Sequence, residues 1–126
     1  MKSRIKRTSV AAVLLVLIAL AGVSSASASP LRVIGSSSSS GEFAVTAANA
    51  HKDGAHAIYL RAYGHDLSGM GVVACSRGLT SIGSKSTTLS SMKSGRLYKL
   101  KLPFAGDCDV TASLSGAGSI RLQVLA

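Results

Sequence analysis

Residues 108–125 read CDVTASLSGAGSIRLQVL. Cys108, Val110, Ala112 and Leu114 alternate with Asp109, Thr111, Ser113 and Ser115. After a Gly-Ala-Gly break, Ile120, Leu122 and Val124 alternate with Arg121, Gln123 and Leu125. A period of two puts successive side chains on opposite faces of a pleated strand. A helix would need its apolar positions to recur every three or four residues. The stretch therefore predicts two half-buried strands separated by a turn.

The same period extends back along the chain. Tyr98, Leu100 and Leu102 alternate with Leu97, Lys99 and Lys101, and Ile58, Leu60 and Ala62 with Tyr59, Arg61 and Tyr63. Val73 and Cys75 share one face, as do Phe43, Val45 and Ala47, which are assigned to the apolar side of the first domain strand. A weaker run covers residues 87–92, and the Ser/Thr/Lys-rich residues 78–94 suit a long loop as well as a strand. Asp53-Gly54 is a hairpin signal, since glycine tolerates positive φ. Arg77-Gly78, Ser94-Gly95 and Ala105-Gly106-Asp107 separate other runs. About seven strands with regular turn signals predict an all-β fold, an antiparallel, immunoglobulin-like β-sandwich over residues 42–126. A small barrel is the alternative. Both cysteines fall on apolar strand faces, which predicts a bridge between facing sheets.

Charge must be located before it is interpreted. The chain carries 14 Lys and Arg against 5 acids, a net +9, with only 4% aromatic residues. Lys2, Arg4, Lys6 and Arg7 precede an apolar run from Val10 to Val23, and SSASAS follows at 24–29. Basic, apolar and small-residue segments in that order predict a secretory signal peptide over residues 1–28, cut after Ala28. The apolar run is shorter than the roughly 20 residues of a membrane span, so no membrane contact is expected after cleavage. Cleavage removes four of the 14 basic residues and none of the 5 acids, leaving a net charge of +5. Export places Cys75 and Cys108 in an oxidising setting, where they are expected to form a structural disulfide. Closing that loop stabilises by roughly 3–4 kcal/mol on the chain-entropy view. A lean domain of this size gains from such a staple.

The mature N-terminus has its own composition. Leu31, Arg32, Val33 and Ile34 form a short β-prone stretch, followed by Gly35, five serines and Gly41. A Gly/Ser tract reads as a flexible linker, so residues 29–41 are expected to be a strand on a tether. Such a strand either folds back as an edge strand of its own domain or adds to a partner's sheet, with Leu31, Arg32, Val33 and Ile34 as contact residues.

Sites for chemistry are sparse. His51, Asp53, His56, His65 and Asp66 are the residues with metal or acid–base potential, but they are expected to be solvated turn residues. No G-x-S-x-G elbow occurs. Gly69-Met-Gly71-Val-Val-Ala74 matches a dinucleotide fingerprint as a string but lacks the βαβ unit that gives it meaning. Glu42, Asp53, Asp66, Asp107 and Asp109 read as turn caps and surface charges. No catalytic residue, cofactor or metal is therefore expected. Lys93, Arg96, Lys99, Lys101 and Arg121 suggest a basic stripe, but stacking aromatics are too few to favour nucleic acid. An acidic partner or envelope polymer is the alternative for that stripe, and edge lysines also discourage aggregation.

The layout resembles small exported β-sandwich proteins of high-GC Gram-positive bacteria. The residues that carry this are the Ala-rich leader ending SSASASP, the Ser/Gly-rich strands and the single wide cysteine pair. Within that group it resembles the adaptor subunit of secreted umbrella-shaped toxin particles, with residues 30–34 as inserted strand and 36–40 as tether. The resemblance implies a non-enzymatic adaptor that joins a repeat-bearing stalk polypeptide to a lectin-like subunit and is not itself the toxic moiety. A free-standing secreted antimicrobial protein or enzyme inhibitor is the alternative.

Overall fold

A computed structural model describes residues 30–126. The expected signal peptide lies outside these residues. Among the described residues there are five strands: β1 (Val33–Ala55), β2 (Tyr59–Arg77), β3 (Ser81–Met92), β4 (Leu97–Lys99) and β5 (Gly106–Leu125). They form one antiparallel sheet in the order β1-β5-β2-β3, with β4 also paired to β2. β4 occupies the edge of the first part of β2 and β3 the edge of the later part. No helix occurs among the described residues.

The all-β, antiparallel, disulfide-bonded character agrees with the sequence, but the strand count differs from the expected seven. The segments predicted as separate strands at 58–63 and 73–75 fall in β2, apart from Ile58 just before it, and those at 108–115 and 120–124 are both in β5. The reason lies at the glycines between them. Gly41, Gly64 and Gly118 have φ of 148°, 140° and 80°, and Asp66 has 52°. The pairing register shifts at Gly41/Ala44, Tyr63/His65 and His65/Ser68. Positive φ and bulges bend a strand without ending it. Gly41 sits opposite Gly118 and His65 opposite Ala117, so the bends fall on one line across the sheet.

Along that line each long strand doubles back. A Cβ on Gly35 would lie 2.7 Å from the Asn49 carbonyl, although both residues belong to β1. Thr46 Oγ1 donates to Ser37 Oγ at 2.7 Å across the same fold. In β2, a Cβ on Gly71 would lie 2.9 Å from Leu100 and 3.4 Å from Leu60. The core fills the space between the two halves, with Ile58, Leu60, Leu100, Leu114, Ile120 and Leu122 fully enclosed.

Parity holds in β5 and fails in β1. Cys108, Val110, Ala112 and Leu114 are buried while Asp109, Thr111 and Ser115 are exposed. Leu125, outward by parity, is buried as well. In β1 the assigned apolar side points to solvent: Phe43 is 92% and Val45 66% exposed, and Ala44, Thr46 and Ala48 are buried instead. A shift of one residue exchanges faces, and the bulge at Gly41/Ala44 sets this one.

Three further expectations are corrected. The serines at 36–40 are not a linker; they run opposite residues 119–123 of β5 as regular strand. Ser37 and Ser39 are half-buried on the inward side, where the Ser37 hydroxyl accepts from Thr46 Oγ1, and Ser36, Ser38 and Ser40 are exposed. Asp53-Gly54 does not make a β1–β2 hairpin, because β5 lies between those strands. Gly54, with φ 61°, sits instead at the bulge between Lys52 and Ala55. The Cys75–Cys108 disulfide is formed, but it joins directly opposed residues of neighbouring strands β2 and β5, not facing sheets.

Candidate functional site

Three of the five acids, Asp53, Asp107 and Asp109, gather at one end of the sheet. β1 presents His51 directly opposite Asp109 of β5. His51 Nδ1 lies 2.6 Å from an Asp109 carboxylate oxygen, and Nε2 lies 2.6 Å from one of Asp53. Gly54 N–H donates to Asp107 at 2.9 Å, tying the last turn of β1 to the start of β5. A neutral imidazole can donate from one nitrogen only, whereas an imidazolium donates from both. The hydrogen bond to Asp109, and then the one to Asp53, accordingly raise the His51 pKa above its ordinary 6.5. The three side chains make a charged clip between strand ends.

The other two histidines do not join it. His56 lies in the connection between β1 and β2 and lines a depression with Lys85, Lys99 and Lys101. His65 sits on the fold line opposite Ala117. The described residues contain no group of three or more His, Cys, Asp or Glu able to hold a metal ion.

The basic residues distribute differently. Neighbouring strands place Tyr59 beside Lys99, Arg61 beside Gln123 and Leu97, and Tyr63 beside Arg121. On the far side of β5, Ser36 opposes Gln123 and Ser38 opposes Arg121. These side chains share the outer face of one half of the sheet. The Tyr63 ring is flanked by two guanidiniums, with the Arg121 carbon 4.7 Å and the Arg61 carbon 5.8 Å from its centroid. Arg61 Nε donates to Gln123 Oε1 at 2.9 Å. Beside them a depression of about 540 Å³ is lined by Ser38, Ser40, Ser119, Tyr63 and Arg121. Of the stripe expected from sequence, Lys99 and Arg121 belong to this face. Lys101 lines the neighbouring depression with His56. Lys93 and Arg96 lie in the turn between β3 and β4. Sequence reasoning missed Arg61 and Gln123. Their outward parity was legible, but their adjacency to Arg121 is a product of β2–β5 pairing.

The N-terminal contact residues have a defined place. Arg32 and Ala126 exchange backbone hydrogen bonds of 3.0 Å in both directions, and Val33 lies opposite Leu125. Leu31 and Val33 are exposed, while Ile34 packs against the core. One edge of the segment is thus bound to β5. Among the described residues no strand pairs with its other edge, because β1 is the outermost strand.

No family model matches the chain. No curated protein matches it either. Among solved structures, the carbohydrate-binding module TmCBM61 in complex with β-1,4-galactotriose aligns with 76% of this chain and 84% of its own length. The identity is 11% and the TM-score 0.39, so no residue correspondence follows.

Proposed function

We propose that the protein is a secreted, non-enzymatic protein-binding module. In this reading it is an adaptor in an extracellular, toxin-like assembly and docks its partners through β1. The observation that carries the reading is the unguarded edge of that strand. Natural sheets protect an edge with charge, proline or bulges. Between the irregularities at Val33/Gly35 and Gly41/Ala44, residues 35–41 offer a regular edge with neither charge nor proline. A partner strand added there would gain main-chain hydrogen bonds, with the exposed Leu31, Arg32 and Val33 supplying specificity and Ile34 anchoring the segment to its own core. The leader-like residues 1–28 and the disulfide support secretion. The repeat-bearing stalk and lectin-like subunit remain the partner classes favoured by the resemblance.

Deleting residues 29–40 would also strip β5 of its neighbour, so edge lysines make the cleaner test. Ser36 and Ser38 are exposed, so Ser36→Lys/Ser38→Lys should keep the fold while guarding the edge. Wild-type protein in culture supernatant should elute within a large assembly and the variant as a monomer. An unchanged elution profile in the variant would overturn the reading.

A further inference from the structure

The five acids and the basic side chains occupy separate parts of the surface. Asp53, Asp107 and Asp109 cluster at the His51 end, while Glu42 and Asp66 sit by the fold line. The outer face built from residues 33–40, 59–63, 97–99 and 119–125 contains no acid. It holds Arg61, Arg121 and Lys99, and Lys101, Lys85 and His56 continue from Lys99 around the neighbouring depression. Among the described residues the ion pairs are those of His51, so these lysines and arginines have no carboxylate partner. The row of Lys99 and the row of Arg121 are four residues apart along β2, a span of about 13 Å. Depressions flank the track at both ends.

We infer that this track binds an anionic glycan chain, through its carboxylate or sulfate groups, along the outer face of β2 and β5. Guanidinium forks match both of these anions in geometry. Tyr63 and the Gln123 amide hold the two forks in place. Ser36, Ser38, Ser40 and Ser119 border the track with hydroxyls that can pair with a polyol. Nucleic acid suits the face less well. Base stacking uses successive free aromatic surfaces, and with the Tyr63 ring engaged by Arg61 and Arg121 this face offers Tyr59 alone.

The test is binding of the mature protein to polygalacturonate (carboxylate) and dextran sulfate (sulfate). Neutral dextran and a single-stranded DNA oligonucleotide serve as comparators. Either acidic polymer, or both, should bind and neutral dextran should not, which also tells the two anion sources apart. Arg61→Gln/Arg121→Gln should weaken binding about tenfold or more, since charge-assisted guanidinium pairs are the strong contacts. Arg121→Gln alone, at an exposed position, should give part of that loss without risk to folding. Lys52→Gln/Arg77→Gln removes the same charge away from the track and should leave binding intact. Equal loss in both double variants would reduce the effect to net charge and overturn the proposal. Tighter binding of DNA than of either polymer, or no binding of either polymer, would also overturn it. Because the edge of β1 is untouched by these variants, the outcome is independent of partner docking.

Discussion

His51 holds a carboxylate at each ring nitrogen, and both contacts strengthen when the ring is charged. Its folded-state pKa is raised, so the stability it contributes is fully present below the ordinary value of 6.5 and is lost as pH rises through the higher folded-state value. The thermal midpoint of the wild type should fall across that window, and His51→Gln should flatten the fall. An equally steep fall in the variant would assign the dependence to another group. The glycines on the fold line make a second residue-scale contrast. At Gly64, φ is 140° and a Cβ would sit 2.8 Å from Ile120 and 3.1 Å from the Ser119 carbonyl. Gly118 has φ 80° but open space around it. Gly64→Ala should cost ~1–3 kcal/mol from backbone conformation and crowding together. Gly118→Ala should cost about 1 kcal/mol from conformation alone. Urea unfolding midpoints distinguish the two, and the order should not reverse.

β1 and β5 are neighbours, yet one was legible and the other was not. In β5 large apolar residues alternate with polar ones, so hydropathy names the buried face without help. In β1 the largest side chains, Phe43 and Val45, face water, and the buried face is made of Ala44, Thr46 and Ala48. A lean interior between two halves of one sheet has room for alanine there and not for phenylalanine. Phe43→Ser should therefore change stability by less than ~0.5 kcal/mol, as for most exposed positions. Ala48→Leu should cost ~1–3 kcal/mol by overpacking. Chemical denaturation measures both, and the opposite ranking would mean that β1 sits with its other face inward. The serines at 36–40 misled for a related reason. Their composition is that of a tether, but as an edge strand beside β5 they satisfy their backbone and fill a shallow margin of the core.

For the whole molecule, the disulfide links the long central pair of strands near one end of the sheet. Both sulfurs are buried, and the bridge closes the loop that contains β3 and β4. Cys75→Ala/Cys108→Ala should lower stability by ~2–5 kcal/mol, read as a drop in denaturant midpoint. A change below ~1 kcal/mol would mean that the unfolded chain is already constrained without it. The basic track and the acidic clip also belong to this scale, since each gathers residues from strands far apart in sequence.

Alternation in residues 58–63, 97–102 and 108–124, together with the cysteine pair, was sufficient to determine an antiparallel all-β domain and its staple. Those features depend on local periodicity and redox chemistry, which a linear sequence records. The continuity of the strands, the inward face of β1, the fate of the serine tract and the meeting of Arg61, Tyr63 and Arg121 were decided by tertiary structure. A glycine with positive φ serves a reversing turn and a bulged bend alike. Which one forms depends on whether a neighbouring strand keeps its hydrogen bonds through the bend. Here β5 supplies that neighbour to both β1 and β2, and the chain doubles over without breaking its sheet.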